Sequence, residues 1–226
     1  MLQGSLRLFG ATPIRERGEI TRPLLLAMVK TLNPNLHDDI NIIAAFTVAF
    51  AAFLRPAEFT WRAWDSTVAY KTHLSRGSIT FTSEGVILHL PSSKTDPFAR
   101  GSTIPLAHAD DKACPVQALQ CLFQKYLKPN NHPLFTRLAG VFNRSWLEQA
   151  IQRSILNTGH NPAIYSGHSF RRGAANSAID AGITRDEIKE LGRWKSNAVD
   201  RYLTSKSSNK IRFAANCKLH LASSTQ

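Results

Sequence analysis

Cysteine is nearly missing from this chain. Only Cys114, Cys121 and Cys217 occur among 226 residues, an odd number with no CxxC spacing. That rules against a disulfide framework and a structural zinc site, and a reducing compartment is expected. Cys114 and Cys121 fall seven apart and read as core thiols of one helix. The eight histidines are scattered, with no HExxH and no Cys/His cluster, so nothing argues for a metal or a cofactor. Long apolar runs are missing too. The longest, IIAAFTVAFAAFL at residues 42–54, is too short to span a bilayer and reads as a buried helix. No signal peptide, internal repeat or low-complexity tract is visible, and no membrane partner is expected.

Acid is the remaining shortage. Sixteen Asp and Glu face 28 Lys and Arg, a formal net charge of +12. Such a balance suits a polyanion, with nucleic acid ahead of an anionic membrane surface. Hydrophobic residues at 43% and aromatics at 9% make the chain globular rather than disordered, and long enough for one substantial core.

Local patterns give the elements. Thr21 and Pro23 read as the cap and early proline of a helix over LLLAMVKTL. Asp38 and Asp39 favour the start of the apolar helix, expected to run to about Leu54, and Pro56 suits the first turn of a short one after it. Alternation predicts strands near GSITFTSEG, VILHLPS and GSTIPLA, with Ser83-Glu84-Gly85 as a turn and Lys94 in the second connection. Helices follow over CPVQALQCLFQKYLK and over SWLEQAIQRSILNTG, the latter closed by Gly159. His168 opens another that ends at Gly182. Thr184 and Glu187 form a capping box for the next, and Ser196 suits the cap of a helix carrying Tyr202. The sum is an α+β fold, mainly helical, with a small three-stranded antiparallel sheet. Residues 1–19 read as a linker or remnant of an approach segment, 20–205 as the folded domain and 206–226 as a C-terminal tail with a docking helix.

The densest stretch is GHSFRRGAANSAIDAGITRDEIKELGRWKSNAVDRYL, residues 167–203. It sets His168 and Arg171 three apart, so that one helix face presents both, and Trp194 and Tyr202 follow. Upstream, AAFLRPAEFTW supplies Arg55 and PSSKTDPFARGSTIPL supplies Lys94. Two arginines, a lysine, a histidine and a tyrosine are what phosphodiester transesterification needs when no metal takes part. The order Arg, Lys, His-x-x-Arg, Trp, Tyr resembles the catalytic domain of the tyrosine recombinases, the lambda-integrase family. The wording SSKTDPFARGSTIPL, CPVQAL and GHSFRRGAANSAIDAG is most similar to recombinases of eukaryotic, particularly fungal, mobile elements of the Crypton and DIRS kind. The resemblance runs from about Ile20 to Tyr202.

What it implies is DNA breaking and rejoining through a 3′-phosphotyrosine, with double-stranded DNA as partner, a homo-tetramer on DNA, and a nuclear location. Tyr202 is then the nucleophile; Tyr70, Tyr126 and Tyr165 sit in worse contexts. Arg55 and Arg171 meet the charge on the equatorial phosphate oxygens, since a guanidinium donates to two oxygens and never deprotonates. His168 takes or guides the tyrosine proton. Lys94 protonates the leaving 5′-oxygen, Trp194 bonds a phosphate oxygen and excludes water, and Glu58 orients Arg55. Arg172 reads as structural or as a backbone phosphate contact. Each position also has a plain reading: Arg55 a helix-end charge, Lys94 a solvated loop residue, Trp194 and Tyr202 packing aromatics.

Two departures accompany the resemblance. Trp194 and Tyr202 are eight apart, one short of the family's usual interval. The family's helical core-binding domain has no counterpart ahead of Ile20, so a fragment, a truncated element or a gene prediction missing its start is expected. A decayed or domesticated domain that binds DNA without cutting is the alternative reading. GHSFR also nears the hydrolase elbow G-x-S-x-G, but Arg171 fills the fifth place. A type IB topoisomerase uses related chemistry, but the wording favours a recombinase.

Overall fold

The computed structural model describes residues 17–62, 73–92 and 101–194. Lys94, Tyr202, Tyr70, Ser196 and Cys217 lie outside them, as does the tail.

Helix α1 (Arg22–Lys30) starts where Thr21 accepts a hydrogen bond from the Leu24 amide, with proline in the first turn. It buries Leu24, Leu25, Met28 and Val29. Helix α2 (His37–Ala51) carries Asp38 and Asp39 in its first turn and is buried without a break from Asp39 to Ala51. An apolar run this long has no solvent face, so α2 becomes the central post of the fold. It packs against α1, against α4 (Pro115–Lys125) and against α6 (His168–Asp180), where Phe46 meets Phe170 at 4.9 Å between ring centroids. It ends at Ala51 rather than Leu54, because the chain turns at Phe53 with φ of 51°. That turn delivers Arg55 to the start of the four-residue helix α3 (Pro56–Phe59).

The expected sheet is present. Strands β1 (Ile79–Phe81), β2 (Gly85–Leu90) and β3 (Ser102–Ala107) pair antiparallel in that order, with Ile79 opposite Leu88 and Val86 opposite Leu106. Val86, Leu88 and Leu90 point to the core at the strand period of two. Lys94 lies between β2 and β3 in the sequence.

Helix α4 corrects one expectation. Cys114 is buried and precedes the helix, its sulfur accepting from the Gln117 amide, but Cys121 is exposed. The buried stripe of α4 runs through Val116, Ala118, Leu119 and Leu122, which turns position 121 outward. A short hairpin of β4 (Thr136–Arg137) and β5 (Gly140–Val141) was not legible in the sequence. Helix α5 (Arg144–Leu156) is capped by Asn143 and followed by Gly159 at φ of 79°. Helix α7 (Arg185–Leu191) opens on the expected box of Thr184 and Glu187.

Residues 18–20 run along α6. The Gly18 amide donates to the Ile164 carbonyl and the Ile20 amide to that of Ser169. Gly173 permits this approach: a Cβ there would stand 1.8 Å from the Ile20 carbonyl oxygen.

Candidate functional site

The turn between α2 and α3 is the floor of the site. Glu58, at the third position of α3, reaches back to its own N-cap: one carboxylate oxygen accepts the Arg55 amide at 2.8 Å and the other Arg55 Nη1 at 2.9 Å. The carboxylate is 3% exposed and the Arg55 side chain 16%. Glu58 therefore fixes Arg55 at both backbone and guanidinium.

Arg171 comes from α6 and is 2% exposed. It donates through Nη1 to the Phe53 carbonyl and through Nη2 to the Gly192 carbonyl. Its guanidinium carbon lies 3.9 Å from the Trp194 ring centroid, a cation–π stack, and the Phe53 ring meets Trp194 edge-on. Trp194 is thus the lid over Arg171. Arg55 Nη2 reaches the Arg193 carbonyl, next to the one Arg171 holds, at 3.5 Å.

His168 stands exposed at the start of α6. Partial desolvation of its ring, then the positive charges of Arg144, Arg171, Arg172 and Arg55, hold its pKa below the ordinary 6.5. A histidine so placed is neutral at neutral pH and able to accept a proton. Spacing alone suggested that His168 and Arg171 share one presented face. The structure corrects that: the histidine is presented, and Arg171 is turned inward against carbonyl oxygens.

Four of the six residues are therefore brought together: Arg55, His168, Arg171 and Trp194, with Glu58 beneath. Lys94 and Tyr202 are outside the described residues. Arg172 donates to the Gly18 carbonyl at 2.7 Å and so anchors the incoming chain. Ser169 is fully buried and donates to the same carbonyl at 2.8 Å, which removes it as a hydrolase nucleophile.

Sequence reasoning missed Arg193. Its Nη2 donates to Glu58 at 3.1 Å and to the Phe53 carbonyl at 3.4 Å, and its Nη1 to the Ala52 carbonyl at 3.0 Å. Burial, and secondarily the charge of Arg55, lower its pKa against the opposing pull of Glu58. One signal was available: Arg193, not Trp194, stands at the family's usual interval from Tyr202. Three guanidiniums converge here on one carboxylate and a few carbonyls, an electropositive arrangement suited to an anion.

A separate cleft of about 560 Å³ lies at the base of the β2–β3 ribbon, lined in part by Ser75, His89, Ser102 and Asn130. None of the four gathered residues lines it. Among the described residues no group of three or more His, Cys, Asp or Glu side chains is placed to hold a metal, and no helix is long and apolar enough to cross a membrane.

No family model matches the chain. It is 29% identical over 143 residues to an integrase/recombinase XerD homolog of Selenomonas ruminantium, a match covering 58% of this chain and 41% of that protein. Its fold is similar to that of the XerH site-specific recombinase bound to difH substrate, with a TM-score of 0.61, 13% identity, and coverage of 85% of this chain and 52% of that one. It is also similar to a lambda integrase dimer bound to a COC′ core site, with a TM-score of 0.57, 14% identity, and coverage of 89% and 52%. The chain thus spans about half the length of these solved proteins and less of the curated one. Its sequence is similar in part to one integrase/recombinase homolog, and the frame that gathers Arg55, His168, Arg171 and Trp194 is the tyrosine-recombinase catalytic-domain fold.

Proposed function

We propose that this chain breaks and rejoins double-stranded DNA by transesterification through a 3′-phosphotyrosine on Tyr202, in the site-specific recombination or integration of a mobile element. The observation that carries the reading is the meeting of Arg55 and Arg171. They come from different elements and reach the adjacent carbonyls of Gly192 and Arg193. A guanidinium holding a carbonyl oxygen is matched to a phosphate oxygen as well. On DNA binding the phosphate replaces the Gly192 carbonyl at Arg171, which keeps the Phe53 carbonyl that it shares with Arg193, and the two arginines then face the five-coordinate phosphorus together. The fold shared with recombinases solved on DNA supports the same reading.

The Tyr202 oxygen attacks phosphorus as its proton leaves with the help of neutral His168. The P–O5′ bond breaks, and the 5′-oxygen takes a proton from Lys94. The phosphotyrosine keeps the energy of the phosphodiester, so rejoining by a 5′-hydroxyl needs no ATP. Trp194 shields the phosphate from water. The wording shared with Crypton and DIRS elements makes a eukaryotic, nuclear recombinase acting as a tetramer our reading of its setting.

The test is a suicide DNA substrate, nicked so that the 5′-hydroxyl fragment diffuses away. A denaturant-resistant protein–DNA adduct is expected without metal or ATP, and Tyr202→Phe abolishes it while keeping noncovalent binding. An adduct that persists in Tyr202→Phe refutes the nucleophile. No adduct even after a helical DNA-clamping domain is fused ahead of residue 20 refutes the activity.

A further inference from the structure

Arg55 and Arg171 are linked through the segment Gly192–Arg193. The Gly192 carbonyl accepts from Arg171 and the Arg193 carbonyl from Arg55 at 3.5 Å. The Arg193 side chain returns both contacts. It donates at 3.1 Å to the Glu58 oxygen that also holds the Arg55 amide, and at 3.4 Å to the Phe53 carbonyl that also accepts from Arg171. A third bond, 3.0 Å to the Ala52 carbonyl, completes a bridge across the α2–α3 turn. We infer that Arg193 is a positioning residue that couples Arg55 to Arg171, so that the two guanidiniums are set as one unit. The kinetic side of this inference rests on the proposed function; the structural side rests on the geometry alone.

Two costs argue that Arg193 is more than a loop staple. Its backbone takes φ of 57°, in the left-handed region that a side chain other than glycine occupies only at a cost. Its side chain is 13% exposed and shares Glu58 with a second cation. A planar fork with several donors at fixed angles can meet one carboxylate and two carbonyls at once, which a lysine ammonium cannot.

The test has two arms. In the first, the single-turnover rate of adduct formation is measured on the suicide substrate. Arg193→Ala is expected to slow it by roughly 10–100-fold, the scale of a misplaced catalytic group, with DNA affinity changed by no more than about threefold. In an Arg55→Lys background the same substitution is expected to cost less than about threefold, because coupled residues are not additive. Full additivity of the two substitutions overturns the coupling. In the second arm, ¹⁵N spectra of the arginine guanidiniums follow the rotation of Arg55, its signal assigned by its loss in Arg55→Lys. Rotation is expected to be hindered in the unsubstituted chain, released in Arg193→Ala and intermediate in Arg193→Lys. Hindered rotation that survives Arg193→Ala overturns the inference whether or not any adduct forms. Absence of adduct with released rotation refutes only the proposed reaction. If Arg193→Ala does not fold, Arg193→Lys carries both readouts: partial slowing with loosened Arg55 supports the coupling, and unchanged values refute it.

Discussion

Arg76 and Arg171 are equally hidden, each 2% exposed. Each lies over an aromatic ring, the guanidinium carbon 4.5 Å from the Phe123 centroid in one case and 3.9 Å from that of Trp194 in the other. There the likeness ends. Arg171 donates to carbonyls of two distant segments, beside Arg193 and within electrostatic reach of His168. Among the described residues, all three guanidinium nitrogens of Arg76 lack a hydrogen-bond partner, and its burial lowers its pKa to about 10. Its charge bears on His132, which Lys128 also opposes, so its surroundings are basic too. Burial and aromatic cover are common to both arginines. What sets Arg171 apart is the convergence of two chain segments on one guanidinium.

The comparison breaks most completely if α6 loses its seat. Gly173→Ala would drive a methyl into the Ile20 carbonyl, 1.8 Å away, on the helix that carries both His168 and Arg171. A loss of about 3–5 kcal/mol is expected in denaturant unfolding, the range of severe backbone conflicts. A loss under about 1 kcal/mol would mean that residues 18–20 do not lie on α6 as described.

Substitution by methionine sharpens the comparison itself. Arg171→Met leaves the buried carbonyls of Phe53 and Gly192 without that donor and is expected to cost about 2–3 kcal/mol. Arg76→Met exchanges a buried cation with no hydrogen bond among the described residues for an apolar chain of similar length, and is expected to be neutral or stabilising by about 1–3 kcal/mol. Equal losses in the two variants, measured by thermal and denaturant unfolding, would erase the distinction.

The smallest effect is on pH. His168 binds its proton only below the ordinary 6.5, so the acid limb of the adduct-forming rate is expected below that value and to vanish in His168→Gln. A limb at or above 6.5 would contradict the placement of His168 among guanidiniums. The stability linkage has the same sign. The unfolded chain protonates first, so the contribution of His168 is complete above pH 6.5 and declines as the pH falls below it.

Much of the fold was legible because its signals are local. Thr21 with Pro23, the Thr184–Glu187 box, and the alternation of Val86, Leu88 and Leu90 each declare an element within a few residues. The site was legible through residue order, which brought Arg55, His168, Arg171 and Trp194 to notice. What could not be read is settled by long-range contact. Arg193 meets Ala52 and Glu58 from 141 and 135 residues away, and no local pattern announces that. The same holds for Arg171, whose spacing from His168 suggested a presented face while Phe53 and Gly192 draw it inward. The early end of α2 depends on the turn at Phe53, which the apolar run extending through Leu54 concealed.

On the proposed function, Arg171, held at the junction of α2, α6 and the Gly192–Arg193 segment, serves a phosphate, whereas Arg76 serves the fold. The most direct measurement sets Arg171→Ala beside Arg76→Met in single-turnover adduct formation on one suicide substrate. Loss of a transition-state charge partner is expected to slow Arg171→Ala by about 10²–10³-fold, with Arg76→Met within about threefold of the unsubstituted chain. Equal rates in the two variants, or a greater loss in Arg76→Met, would contradict the account.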